Sequence, residues 1–208
     1  MTLSDTHKNR YTKISERYGE RIMKFICLMG VTGSGKSTIE KNLEKLGFTR
    51  SISYTTRQPQ VRNNKLEENG VEYNFVTREK FMELVDKGVI IEYEEYDGNL
   101  YGTPEPFGAT SYVSVVCTNG FKALKEKYGE QIIGVYLQCS NEISEQRAGE
   151  RDTDLKKFKR RRERDLEAAE EMQQIADLTV DASQNINIVT AEILNGVKKL
   201  QEEWGVNT

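Results

Sequence analysis

The sequence contains one histidine, three cysteines and three prolines in 208 residues, and each scarcity excludes something. With His7 as the single histidine, lying in the polar N-terminal stretch, triads built on histidine and histidine-rich zinc sites are not expected. Cys27, Cys117 and Cys139 have no metal-type spacing, and each sits in an apolar run that reads as a strand, so buried reduced thiols of a cytoplasmic protein are expected. No apolar run approaches the roughly 20 residues that span a bilayer, and residues 1–22 lack the apolar core of a secretory signal. Excess charge is missing as well. Lys and Arg total 30 against 33 for Asp and Glu, a formal net charge of −3, so general polyanion binding is not expected. No repeat, low-complexity linker or proline-rich segment interrupts the chain.

What is present begins with residues 24–29, an apolar run that reads as a fully buried strand. It leads into Gly30-Val31-Thr32-Gly33-Ser34-Gly35-Lys36-Ser37, which fits G-x-x-x-x-G-K-[ST] without a mismatch. A helix is expected over Ser37–Leu46, with Ile39, Leu43 and Leu46 at helical spacing and Gly47 as its stop. Strand, glycine loop and helix form the context in which backbone N–H groups cradle phosphates. The sequence therefore assigns ATP binding to Gly30 through Ser37 and to Thr38 beside them. Lys36 suits the β- and γ-phosphates, and the Ser37 hydroxyl suits Mg²⁺.

Residues 51–103 differ in texture. Ser51–Arg57, Glu72–Thr77 and Val89–Tyr96 are short runs rich in β-branched and aromatic residues. Asp97-Gly98 signals a hairpin turn. Thr77–Lys87 reads as a short helix with Phe81, Leu84 and Val85 on one face, and residues 61–70 as a polar loop. This predicts a small antiparallel lobe inserted into a parallel α/β domain. Alternation then resumes, with strands at Tyr112–Thr118, Gln131–Cys139 and Asp177–Asp181, and helices near Gly120–Tyr128 and 187–203. Residues 141–175 are charged and favour helix.

Four segments of the lobe resemble the guanylate kinase family. Ser51-Ile-Ser-Tyr-Thr-Thr-Arg57-Gln-Pro59 is similar to S-x-S-x-T-T-R-x-P-R, and Gly70-Val-Glu-Tyr73-Asn-Phe75 to G-x-x-Y-x-F. Ile91-Glu92-Tyr93 matches the I/L-E position, and Leu100-Tyr101-Gly102-Thr103 the Y-G-T/S turn. The motifs occur in the family's order, and with the loop and lid the resemblance covers about residues 24–200. It implies a P-loop parallel sheet flanked by helices, an inserted nucleotide-binding lobe and a helical lid. The implied division is an N-terminal tail over 1–22 and a kinase domain over 23–208. Within that domain the core is 23–50, 104–140 and 176–208, the acceptor lobe 51–103 and the lid 141–175. It further implies transfer of the ATP γ-phosphate to GMP or dGMP with Mg²⁺, by a monomer or homodimer with no nucleic-acid or membrane partner.

The chemistry agrees with what the resemblance implies. Arg57, Tyr73 and Tyr101 carry the donors that an acceptor phosphate needs. Guanine presents N1–H and a 2-amino group, from which Glu92 can accept, and Ser53 or Thr103 can serve O6 or the amino group. Arg147 and Arg151 lie one turn apart, and Arg160, Arg161, Arg162 and Arg164 follow. The resemblance makes such arginines close over the phosphates, with Arg161 taken for the third lid position; the acidic neighbours Asp152, Asp154, Glu163 and Asp165 weaken a nucleic-acid reading. Together Lys36, Arg57, Arg147, Arg151 and Arg161 form the expected catalytic set.

Three positions depart from the family pattern. Gln60 stands where a second arginine is expected, with Arg62 nearby, and Val115 and Cys117 stand where two aspartates are expected. Glu94, Glu95 and Asp97 are candidate substitutes, although nothing in the spacing selects one. Two other readings remain open: a kinase of this fold for another nucleotide or a sugar phosphate, and a non-catalytic protein-binding module. The retained Lys36 and lid arginines oppose the second of these.

Overall fold

A computed structural model describes residues 25–62, 65–106, 111–149 and 155–205. The expected tail over 1–22 and the lid residue Arg151 lie outside the described residues. The core is a five-stranded parallel sheet. Strand β1 (Phe25–Met29) runs at its centre between β10 (Ile132–Gln138) and β9 (Tyr112–Val115), with β11 (Leu178–Asp181) and β2 (Thr49–Arg50) at the edges. All five residues of β1 are buried, as a strand covered on both faces requires.

Alternation of side chains then divides the core in two. Ile26 and Leu28 face α1 (Lys36–Lys45) and the closing helix α7 (Ile186–Glu203), packing with Ile39, Leu43, Val189 and Ile193. Phe25, Cys27 and Met29 face the other way, onto Phe121 and Leu124 of α3 (Thr118–Tyr128) and Met172 of α6 (Ala169–Ile175). The helices thus flank the sheet on both sides, and the loops at the carboxyl ends of β1 and β9 open toward one edge, where ligands bind in open parallel sheets.

The lobe is a second sheet in the order β6 (Asn74–Phe75), β3 (Tyr54–Thr55), β8 (Asn99–Pro104), β7 (Ile90–Tyr96). Its register corrects one expectation. β3 pairs antiparallel with β8 but parallel with β6, so the lobe sheet is mixed. The long connection through residues 56–73 is what permits the parallel pairing, which a tight hairpin cannot make. Part of that expected polar loop is itself paired, as β4 (Val61–Arg62) with β5 (Lys65–Leu66). The β7–β8 hairpin turns at Asp97 and Gly98, with φ of 52° and 74°, the two positive values that a two-residue turn matched to strand twist demands. Leu100–Thr103 accordingly lies on strand β8 rather than in a turn. Phe81 of α2 (Arg78–Asp86) packs with Ile90 and Leu100 to give the lobe its own small core.

The charged stretch forms α4 (Asn141–Gly149) and α5 (Leu155–Glu167), followed by α6. Two strand ends also shift. β9 stops at Val115, so Cys117 is the N-cap of α3 and not a strand residue, and β10 stops at Gln138, one residue before Cys139.

Candidate active site

The donor loop leaves β1 at Gly30 and enters α1 at Lys36. Gly33 and Gly35 have φ of 88° and 97°, which side chains beyond glycine rarely adopt. A Cβ on Gly33 would stand 1.9 Å from the Ser144 carbonyl oxygen, so the loop can lie against α4 only with glycine there. The first turn of α1 contains no acidic residue, and its N-cap Gly35 offers no side chain to the helix N–H groups. The Thr38 N–H turns back to the Gly35 carbonyl at 2.9 Å, and the positive end of the helix dipole lies at the cavity wall, an anion site made of backbone. Lys36 Nζ donates to the Gly30 and Val31 carbonyls at 2.6 and 2.9 Å, curled against the loop it serves. Ser37 and Thr38 are exposed at the same helix start.

Opposite the loop, the lobe supplies side chains. Arg57 is 5% exposed and forms a two-pronged pair with Glu67, Nη1 to Oε2 at 2.6 Å and Nη2 to Oε1 at 3.1 Å. Glu67 also accepts from the Gln60 amide at 2.9 Å. The position expected to carry a second arginine thus contributes its backbone to the carboxylate that holds the first. The side chain of Arg62 lies outside the described residues. The guanidinium sits 5.2 Å from the Tyr73 ring centroid and 5.4 Å from that of Phe75, and Tyr101 meets Tyr73 edge-on at 6.0 Å. Burial opposes the charge of Arg57, but the Glu67 hydrogen bonds and charge outweigh it and hold the guanidinium more firmly protonated than usual.

Farther along the same wall, Glu92 of β7 lies opposite Thr103 of β8. Its Oε2 is buried without a hydrogen-bond partner. Burial, and then the neighbouring charge of Glu94, push its carboxyl up to about 7. A Cβ on Gly120 would stand 2.9 Å from that oxygen and 2.8 Å from Thr103 Oγ1, so α3 can pack this close to the pair only with glycine in its first turn. Cys117 Sγ accepts from the Gly120 amide at 3.3 Å. Burial first, then Glu92 and Glu94, push its thiol up to about 12, which makes Cys117 a neutral cap and not a nucleophile.

A single cavity of about 450 Å³ joins these parts. Its wall includes Gly30, Thr32, Gly33, Lys36, Ser37 and Thr38 from the loop, and Ser53, Arg57, Tyr73, Glu92, Tyr101 and Thr103 from the lobe. Val115 and Cys117 also line it, as does Arg161 of α5. The structure thus brings most of the expected site residues together. Val31 and Ser34 are buried within the loop. Arg147 is not brought in: it donates to the Ala182 and Ser183 carbonyls at 2.9 and 3.4 Å, after β11. Arg162 turns away from the cavity, 7% exposed, to Ser144 Oγ at 2.9 Å and Asn141 O at 3.1 Å, tying α5 to α4.

Several lining residues were missed from sequence. Asp165 accepts from the Thr32 amide at 2.7 Å and the Thr32 hydroxyl at 2.5 Å. Arg164 lies over the Tyr96 ring at 4.2 Å and reaches Glu94 Oε1 at 3.5 Å. Of the three candidate substitutes for the absent aspartates, Glu94 lines the cavity; Glu95 pairs with Arg78 at 2.9 Å and Asp97 with Arg160 at 3.7 Å. The one sequence signal for Asp165 is its place one turn after Arg161, which sets both on one helix face. Glu67 had none, because the loop around it has no period.

Comparison with known proteins follows the same lines. A family model described as guanylate kinase matches residues 22–201. The guanylate kinase of Prochlorococcus marinus strain MIT 9312 is 33% identical over 144 residues, covering 63% of this chain and 73% of that protein. The guanylate kinase of Sus scrofa is 36% identical over 141 residues, 62% of this chain and 68% of its own length. The stretch aligned with the guanylate kinase of Oleidesulfovibrio alaskensis is 46% identical but spans 81 residues, 38% of this chain and 37% of that protein. Among solved structures, the guanylate kinase from Anaplasma phagocytophilum superposes with a TM-score of 0.61 at 23% identity, covering 86% of each chain, a likeness of fold.

Proposed function

The chain belongs to the guanylate kinase family, and from that premise we propose that it transfers the γ-phosphate of ATP to GMP or dGMP, giving ADP and GDP or dGDP. The observation that supports this reading most is the shared cavity, with a backbone anion cradle at one end and a cationic, aromatic and carboxylate wall at the other. In this reading Gly30 through Thr38 bind ATP, with Lys36 released from the Gly30 and Val31 carbonyls to the β- and γ-phosphates. Arg57, Tyr73 and Tyr101 hold the acceptor phosphate. Glu92, Ser53 and Thr103 read guanine: the unpartnered Oε2 of Glu92 is an acceptor without a donor, and guanine brings two donors side by side. Adenine presents an acceptor at N1 and would leave that oxygen unpaired, at a cost of about 1–3 kcal/mol.

Phosphoryl transfer asks the protein chiefly for position and charge. Arg161, on the lid side of the cavity, is placed to neutralise the transferring group, and Arg147 and Arg151 belong to the proposed lid without a part assigned by geometry. No general base is needed, because the acceptor phosphate is itself a nucleophile near neutral pH. The donor set suits Mg²⁺ that arrives with ATP: the exposed Ser37 hydroxyl is one hard oxygen beside the phosphate loop, and Mg²⁺ keeps several of its own waters. Held there with ATP, the ion would offset phosphate charge. Among the described residues no group of three His, Cys, Asp or Glu forms a resident metal site, and Val115 contributes no ligand.

The proposed division follows the two sheets: core over 23–50, 104–140 and 176–208, acceptor lobe over 51–103, and lid over 141–175. No helix among the described residues is long and apolar enough to cross a membrane, and the three cysteines are unpaired. In the proposed reading the protein acts in the cytoplasm on small nucleotides, as a monomer or homodimer. The test is ADP release from Mg²⁺–ATP with GMP, dGMP, AMP, CMP and UMP in turn. Turnover confined to the guanine nucleotides, and reduced about 10²–10³-fold by Lys36→Ala, is the expected result. ATP binding without turnover on any of the five would overturn the proposal and point to another acceptor.

A further inference from the structure

Asp165 is an acid at a place built for anions. One of its carboxylate oxygens, Oδ2, receives both the amide and the hydroxyl of Thr32 in the donor loop. Its other oxygen lies 3.8 Å from Arg164 Nη2. A carboxylate repels a polyphosphate, so a ligand contact is a poor account of it; the two Thr32 donors hold it in place and the Arg164 charge offsets its own. What the contact does do is join two elements. Asp165 stands on α5, and Thr32 stands in the loop between β1 and α1, 133 residues away in sequence.

Arg161 lies one turn before Asp165, so both project from the same face of α5, and Ala168 and Met172 continue that face along the cavity wall. On an adjacent face Arg162 is tied to Ser144 and Asn141 of α4. The helix is therefore held on two sides, toward α4 by Arg162 and toward the donor loop by Asp165, and the direction of Arg161 follows from those two anchors. We infer that Asp165 is a positioning residue, which seats the lid helix on the donor loop through Thr32 and thereby fixes Arg161 over the transferring phosphate. This rests on the kinase reading above for its catalytic half; the seat itself does not depend on it.

Two measurements separate the halves. Amide hydrogen exchange reads the seat without turnover: Asp165→Ala should lose protection at the Thr32 amide and along α5, and Asp165→Asn, which still accepts from both Thr32 donors, should keep it. Steady-state kinetics with Mg²⁺–ATP and GMP reads the positioning. Asp165→Ala should lower kcat about 10–100-fold with little change in KM for ATP, and Asp165→Asn should recover to within about 3-fold of the parent. In an Arg161→Ala background the same Asp165→Ala change should cost less than about 2-fold, since there is no guanidinium left to aim. Effects that multiply in full in the double variant would overturn the positioning role. Unchanged exchange at Thr32 in Asp165→Ala would overturn the seat. A lowered KM for ATP at unchanged kcat would show instead that the carboxylate competes with phosphate. A parent protein inactive on every acceptor would sink the kinase reading, and exchange would still decide the seat.

Discussion

The two ends of the cavity are built by opposite means. The donor end is a run of consecutive residues whose working parts are backbone N–H groups, a helix end and one lysine. The acceptor end is drawn from β3, β7, β8 and the loops between them, and its working parts are side-chain charges taken partly out of water. Backbone donors cannot titrate and need no charged partner. Buried charges need partners, and their state depends on every neighbour. The donor end should therefore be sensitive to shape and indifferent to pH, and the acceptor end the reverse.

The strongest test of that contrast is Glu67→Ala. It would leave Arg57, 5% exposed, as a buried charge without its carboxylate, at an expected cost of about 3–5 kcal/mol in unfolding free energy measured with denaturant. A loss below about 1 kcal/mol would mean that Arg57 finds water or another partner, and the acceptor end would then be less buried-charge machinery than it looks. Next comes Gly33→Ala, which forces a side chain into positive φ and against the Ser144 carbonyl. We expect about 1–3 kcal/mol of destabilisation together with a raised KM for ATP, the KM for GMP staying near the parent value. Equal effects on both substrates would show that loop and lobe are not separable.

The smallest effect is the one that most sharpens the pH contrast. The folded pKa of Glu92 is raised from 4.5 to about 7, so the protonated form is favoured by folding. Its contribution to stability is present below the unfolded value and is lost as pH rises through about 7. Glu92→Gln should therefore stabilise the protein at pH 8, on the order of 1 kcal/mol after allowing for its partial exposure, and change little at pH 5. In the proposed reading the ionised form accepts from guanine, so the KM for GMP should fall between pH 6 and pH 8 and the KM for ATP should stay level. In Glu92→Gln the KM for GMP should rise and lose its pH dependence. A level KM for GMP in the parent would remove Glu92 as the base reader.

Legibility in the sequence divides along the same line. The donor loop was readable because its function is set by local conformation: glycines at fixed offsets between a buried strand and a helix. The Asp97-Gly98 turn was readable for the same reason. The parallel pairing of β3 with β6 was not, since register across residues 56–73 depends on where a long connection travels and not on any residue in it. Glu67 was invisible in a polar loop, and the run of arginines over 160–164 could not be sorted by spacing. Arg162 went to α4, Arg164 to Tyr96 and Arg161 to the cavity because α5 rotates each by about 100° from the last, and only packing sets which direction is inward.

By itself, then, the sequence determined an α/β chain with a phosphate loop, a lobe inserted after the first helix, and the residue types that line the shared cavity. Tertiary structure decided which polar groups meet: Arg57 with Glu67, Asp165 with Thr32, and Glu92 Oε2 with no hydrogen-bond donor. The reason is range. Glycine conformation and strand or helix periodicity act over a few neighbouring residues. The energy of a buried charge depends on atoms within a few ångströms that the chain supplies from as far away as the lid.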